Sequence, residues 1–218
     1  MTSPKLETEG HSIVFLGSFN PQIFQPAWFS NQNLLRKEES ETAKIEIIHR
    51  EVVTFSTDWL RLEVTPERII FSTTQSQYYE PLRDLALGTF RILHHTPIAK
   101  MGLKRDLHFL MASEETWHAI GHKLAPKEIW KTILEAPGLN SLTMQGKRPD
   151  LYKGAINVKV EPSSKVKPGV FILVNDHFES TEEEPSQGAD KFLEMLENSW
   201  KSSIARSLKI AQTIVEIK

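Results

Sequence analysis

Residues 189–217, ADKFLEMLENSWKSSIARSLKIAQTIVEI, decide the fold, because they form the pattern of one long amphipathic helix. Large apolar residues recur every three or four positions, which places them on one stripe of an α-helix. The stripe consists of Phe192, Leu193, Leu196, Trp200, Ile204, Leu208, Ala211, Ile214 and Val215. At a rise of about 1.5 Å per residue the helix would be roughly 40 Å long, about the width of a domain. We therefore expect the rest of the chain to form a broad apolar surface on which this helix lies.

The composition indicates a globular protein with one sizeable core. Hydrophobic residues make up 39% and charged residues 25% of the 218 positions, which is ordinary for such proteins. A formal charge of −2 does not favour unspecific binding to nucleic acid or to a membrane surface. The absence of cysteine excludes a disulfide framework and a cysteine nucleophile, and it fits a reducing compartment.

The sequence does not favour a membrane partner. Its longest apolar runs, such as Val170–Val174, are far shorter than a membrane span. Residues 1–10 lack the charged and then apolar pattern of a signal peptide. We therefore expect a cytoplasmic protein.

Two similar groups of strands point to a repeated architecture. The alternating stretch 60–66 (LRLEVTP) matches 156–162 (INVKVEP) in phase, and both end at a proline. Each is followed by a returning apolar strand, at 69–73 and 170–174, and then by an amphipathic helix. The sequence predicts an α+β fold: a mixed, mainly antiparallel sheet built from two pseudo-repeated strand–helix–strands–helix halves and closed by the long C-terminal helix. The alternative is chance, because alternating strands that end at proline are common.

This repeat divides the chain into three predicted segments. Residues 1–11 form a flexible N-terminal tail, and residues 12–96 form the first α+β half. Residues 97–218 form the second half, which we expect to pack with the first as one globular unit.

Four further stretches belong together. They are Ile13–Pro21, the strand from Trp59 into Val64 and Thr65, Tyr79–Leu82 and the long terminal helix. Together they resemble an uncharacterised, sporadically distributed family of bacterial proteins. The resemblance implies a bacterial cytoplasmic origin and leaves open a role as a regulatory or defence-module partner. It implies no activity, substrate or catalytic residue.

A histidine pair is the candidate metal site. His118 and His122 are four residues apart, so on a helix they share a face and could reach one ion. The glutamate that follows the first histidine in a zinc-protease helix is absent. Polar surface is the alternative interpretation. We assign no cofactor to the chain.

A basic loop at residues 145–154 is the candidate site for an anion or another acidic ligand. It holds Lys147, Arg148, Tyr152 and Lys153 between glycines, and cationic side chains with backbone amides can hold a phosphate. The order of residues in a phosphate-binding P-loop is absent. The alternative is a solvated hairpin loop.

Aromatic residues near the N-terminus are the candidate partner interface. Phe24, Trp28 and Phe29 could leave an apolar patch exposed, and such a patch marks a protein interface. The five tryptophans otherwise fall in apolar patterns, so we expect them to pack in the core.

The strand end at Asn175-Asp176-His177 is a candidate for catalysis only if its side chains converge. Adjacent residues on a strand point to opposite faces, and no serine in the sequence has a nucleophile-elbow context.

No nucleophile, metal cluster or nucleotide loop stands out, so we predict a non-enzymatic binding or assembly protein that forms a homodimer or binds a protein partner. Two alternatives stay open. In one, a cleft between the halves binds a small ligand or performs metal-assisted hydrolysis with His118, His122 or His177. In the other, the basic loop binds nucleic acid, which the near-neutral charge does not favour.

Overall fold

Nine strands form one antiparallel sheet in the part of the chain that the structure, a computed structural model, describes: residues 4–180 and 188–217. The strands are β1 (Lys5–Gly17), β2 (Lys44–His49), β3 (Val52–Ser56), β4 (Arg61–Thr65), β5 (Arg68–Thr73), β6 (Ile98–Leu110), β7 (Leu142–Lys147), β8 (Gly154–Pro162) and β9 (Gly169–Glu179). The helices are α1 (Pro26–Asn31), α2 (Lys37–Glu41), α3 (Tyr79–Ile92), α4 (Glu114–Leu124) and α5 (Asp190–Val215). The strand order is β2-β3-β4-β5-β1-β6-β9-β8-β7.

The two longest strands, β1 and β6, lie side by side at the centre and set the alternation for the whole sheet. Ile13 pairs with Leu103 and Phe15 pairs with Met101, and all four side chains are buried beneath the helices. The residues between them point to the opposite face, because side chains alternate along a strand. The sheet thus has a helix-covered face and an open face.

Local sequence explains the first group of strands. Leu62 and Val64 on β4 are buried, whereas Arg61 and Glu63, which alternate with them, point to the open face, as the sequence pattern predicts. Thr65 and Arg68 close the turn to β5 through the proline at position 66.

The predicted long helix is present as α5, which has 26 residues and is about 39 Å long. It packs on β6 and β9 and against α3. Trp200 is fully buried, and its indole nitrogen donates a hydrogen bond to Glu80 at 3.0 Å. Ser199, Ser203 and Ser207 are buried in the middle of its stripe beside Trp200, whereas the predicted Ile204 and Leu208 are partly buried and pack against the core clusters.

The predicted fold class is wrong, although the content is α+β. Every pairing in the sheet is antiparallel, so the sheet is not mixed. The sheet is also open and strand-rich, and α5 does not close it. Strand–helix repeats do not describe it, because β1 and β6 pair along their length and merge all strands into one continuous layer. Local alternation could not show which strands become neighbours.

The predicted N-terminal tail also differs. Residues 1–3 lie outside the described part of the chain, and Lys5–His11 form the first part of β1. This segment pairs with β6 although most of its side chains are polar, so it contains no apolar run that would predict a strand. The division predicted between residues 96 and 97 falls in the connection from α3 to β6.

Candidate partner-binding surface

The aromatic residues predicted as a partner interface lie in the core instead. Phe24 is 1% exposed and its ring lies 6.4 Å from that of Phe90, while Phe29 is fully buried against Phe55. Only Trp28 of the predicted set is partly exposed. Phe24 follows the 3₁₀ turn Pro21–Ile23, whereas Phe29 lies on α1, which begins at Pro26, and both side chains pack in the core. The patch predicted from Phe24, Trp28 and Phe29 is therefore wrong.

The two histidines predicted as metal ligands are exposed on α4. The His118 ring contacts the ring of Trp117 at 4.8 Å, and His122 lies in the last turn of the helix. Within residues 4–180 and 188–217, no group of three histidine, aspartate or glutamate side chains is placed to hold an ion. The fold thus brings no third ligand to His118 and His122.

The basic loop is divided by the fold, because Arg148 is buried and its charge is already paired. Its guanidinium donates to Asp150 at 2.6 Å and to Asp176 at 2.5 Å, and it lies 3.6 Å above the ring of Phe178. Lys147 and Lys153 are exposed, and the Tyr152 hydroxyl accepts a hydrogen bond from Asn198 at 3.3 Å. The four predicted residues do not converge on one anion site.

Asp176 joins this loop to α5. One carboxylate oxygen accepts from Arg148 and the other accepts from Arg206 at 2.6 Å, while Asp176 is only 2% exposed. His177 points to the open face, where its Nε2 lies 3.1 Å from the carboxylate of Glu179. As expected for neighbouring strand residues, Asp176 and His177 do not form a catalytic pair.

A buried polar cluster lies at the centre of the sheet, and no sequence pattern predicted it. His11 on β1 stacks on Trp200 at 5.0 Å, and its Nδ1 bonds to the carbonyl oxygen of Lys104 at 2.7 Å. Beside it, Arg105 donates to Glu9 at 2.6 Å and to the carbonyl oxygen of Ile204 at 3.0 Å. Burial, and then the charge of Arg105, lowers the pKa of His11 to about 3. This imidazole is neutral at pH 7, and the cluster holds α5 on the sheet.

A group of exposed apolar side chains lies at the opposite end of the sheet from the predicted patch. We define the apolar edge as Ile129, Trp130, Ile133, Leu134 and Met144, which are 77%, 47%, 67%, 53% and 61% exposed. The first four fall within six consecutive positions, and Met144 lies on the edge strand β7. Large apolar side chains that are exposed together, unlike scattered ones, mark interaction surfaces.

Local sequence explains why the segment before β7 is uncovered. Pro126 follows the end of α4, and Pro137-Gly138 interrupts the chain again before β7. Only one 3₁₀ turn, Trp130–Thr132, forms between them, and the apolar side chains around it stay exposed. Between the segment and the sheet lies a groove lined by Trp130, Leu134, Pro137, Leu139 and Leu142.

The open face of the sheet is chemically different from the apolar edge. Opposite charges pair between neighbouring strands, Arg68 with Glu63 and Lys100 with Glu179, along one strand, Lys159 with Glu161, and across β3, Arg61 with Glu46. Exposed pairs of this kind are compatible with water. Contact with water is less favourable at the apolar edge.

Comparisons with protein-family models and with curated proteins find no match to this chain. The resemblance to a bacterial family therefore stays a prediction. Among the described residues, no helix combines the length and apolar character that crossing a membrane requires.

Proposed function

We propose that the protein is a non-enzymatic binding or assembly protein that acts through its apolar edge. The observation that supports this proposal most is the exposure of Ile129, Trp130, Ile133 and Leu134 within six positions. The groove beside them can accept an apolar side chain of a partner, which is how interfaces anchor. A cytoplasmic location is part of the proposal, because a cysteine-free chain fits a reducing compartment.

The proposed partner is a protein, with a second copy of the chain as the first candidate. Burial of a large aliphatic side chain contributes about 1.5–3 kcal/mol when it starts fully exposed. A homodimer would bury the apolar edges of both copies, and these ten partly exposed side chains would contribute on the order of 10 kcal/mol before costs. Association itself costs about 4–15 kcal/mol, and micromolar affinity needs about 8 kcal/mol net. Further contacts from the rest of β7 are therefore part of the proposal.

The charge distribution does not support the nucleic-acid alternative. Arg148, the only arginine of the basic loop, is 8% exposed and paired with Asp150 and Asp176. Phosphate contacts come from accessible cations, so the loop can supply only Lys147 and Lys153.

Light scattering coupled to size-exclusion chromatography tests the proposal with a matched pair of variants. We expect the unmodified chain to dimerise with rising concentration. We expect Ile133→Glu to weaken the dimer at least tenfold, because the new charge would be buried in the interface. Ile47→Glu, an equivalent change at an isoleucine that is 42% exposed on β2, should leave the dimer intact. A chain that stays monomeric at every concentration, or equal effects of both variants, would contradict the proposal.

A further inference from the structure

The sheet has two outer strands, and only one of them is protected against pairing with another chain. β2 is interrupted by a bulge between Ile45 and Ile47, and Glu46 in the bulge pairs with Arg61 on β4. Bulges and charges are the devices by which proteins prevent edge strands from associating. β7 pairs with β8 in unbroken register from Leu142 to Lys147. It contains no proline, carboxylate or bulge.

β7 also lies outside the cover of the helices. Leu142 is partly buried, and the other residues of the strand are exposed on both faces of the sheet. In the described part of the chain, β8 is its one neighbour, so the backbone groups on its outer side are free to bond to another strand. An exposed regular edge with an apolar side chain is a template for strand addition.

We propose that β7 pairs with β7 of a second copy, antiparallel and about a two-fold axis at Met144, so that two sheets become one. This inference rests on the proposed function, because it supplies the backbone contacts that the apolar edge needs. A two-fold axis requires the same strand on both sides of the interface, which closes the assembly as a dimer. Pairing β7 with the protected β2 would instead extend without closing.

The residues of β7 complement one another in this register. On the helix-covered face, Met144 meets the partner's Met144, and Leu142 lies opposite the partner's Gly146, where there is room for it. On the open face, Thr143 lies opposite the partner's Gln145, so polar residues meet polar residues. Facing residues in antiparallel strands have Cβ atoms about 5 Å apart, close enough for each pair to be in contact.

The charges at the ends of β7 are complementary as well. Lys147 would lie opposite the partner's Ser141, and in one chain Ser141 bonds to the carboxylate of Glu161 on β8. Lys159, followed by Ser141, holds the pKa of Glu161 below its usual range, so this carboxylate is ionised. The partner's Glu161 lies two strand spacings, about 10 Å, from Lys147, and these two long side chains together can span that distance. The two-fold axis forms this ion pair twice.

A disulfide experiment tests the register, because the chain has no cysteine of its own. A residue on the axis meets itself, and facing positions have the Cα separation that a disulfide requires, about 4.4–6.8 Å. Under mild oxidation we expect Met144→Cys to form a covalent dimer at least tenfold faster than two control variants. Ile47→Cys tests the β2 edge. Thr143→Cys tests the adjacent position, which faces Gln145 of the partner subunit.

The controls separate failure of the register from failure of the proposed function. Equal rates for Met144→Cys and Ile47→Cys, or a faster reaction of Thr143→Cys, would overturn the pairing at Met144. The proposed function would survive that result if Ile133→Glu still dissociated the dimer. A monomeric unmodified chain would overturn both.

A charge exchange provides a second measurement. Lys147→Glu places a carboxylate beside the partner's Glu161 and should weaken the dimer about threefold to tenfold. Combining it with Glu161→Lys should restore most of the affinity. If Lys147→Glu has no effect, or if the second change does not restore binding, the proposed register is wrong.

Discussion

The two flanks of the sheet are built by different means. We call β2–β5 the N-terminal flank and β7–β9 the C-terminal flank, with β1 and β6 between them. The N-terminal flank is covered by α1 and α3 and filled by closely packed aromatic rings such as Phe29 and Phe55. The C-terminal flank has a smaller apolar cluster and a buried ion-pair network of Arg148, Asp176 and Arg206. Its last strand, β7, is left uncovered.

Both outer strands lie outside the cover of the helices, and they differ in the regularity and protection of their outer edges. Both outer strands carry exposed apolar residues, with Ile45 on β2 53% exposed and Met144 on β7 61% exposed. β2 has a bulge and an ion pair to β4, two strands away, whereas the described contacts of β7 include neither. The segment Ile129–Leu134, which precedes β7 in the chain, adds further exposed apolar side chains to this flank. The proposed partner surface therefore lies on the C-terminal flank.

The largest expected effect concerns the cohesion of the C-terminal flank. Asp176→Ala should lower the free energy of unfolding by about 3–5 kcal/mol, because Arg148 and Arg206 would lose their shared buried carboxylate. Chemical denaturation followed by circular dichroism measures the change. Asp150→Ala is the matched control: it removes the more exposed partner of Arg148 and should cost about 1 kcal/mol or less. A loss below about 1 kcal/mol for Asp176→Ala would show that the network does not hold this flank.

A smaller effect concerns the centre, where the flanks meet at His11. The pKa of this residue is about 3 in the folded chain, against 6.5 when unfolded, so the unfolded state binds the extra proton between these values. Stability should therefore be lost as the pH falls below about 6.5, by about 2 kcal/mol between pH 7 and pH 5. His11→Phe should remove this part of the pH dependence in denaturation curves. Parallel pH profiles of the two chains would contradict the prediction.

Part of this architecture could be predicted from the sequence. The three-to-four-residue spacing in 189–217 predicts α5, and the alternation from Leu60 to Val64 predicts β4 and its buried face. Both patterns are local. The burial of Ser203 and Ser207 on α5 could not be predicted, because it depends on how the helix packs on the sheet.

The candidate surface was less predictable, because exposure depends on distant residues. The sequence around Phe24 and Phe29 resembles that around Trp130. The two phenylalanines are nevertheless buried over the sheet, where Phe29 contacts Phe55, whereas Trp130 is exposed. From the sequence, Arg148 is expected to be an unpaired cation in a basic loop. In the fold it bonds to Asp176, which is 28 positions away in the chain. For Ile129–Leu134, apolar content favours a buried helix, but the structure forms only the single 3₁₀ turn Trp130–Thr132 between Pro126 and Pro137.

Hydrogen exchange at two protein concentrations tests the central claim, that β7 is the edge where this molecule binds another copy of itself. We predict that outward-facing amides of residues 142–147 exchange more slowly as the dimer forms, while amides of residues 44–49 on β2 do not change. Unchanged exchange in β7 under conditions where the dimer is present, or slower exchange in β2 instead, would contradict it.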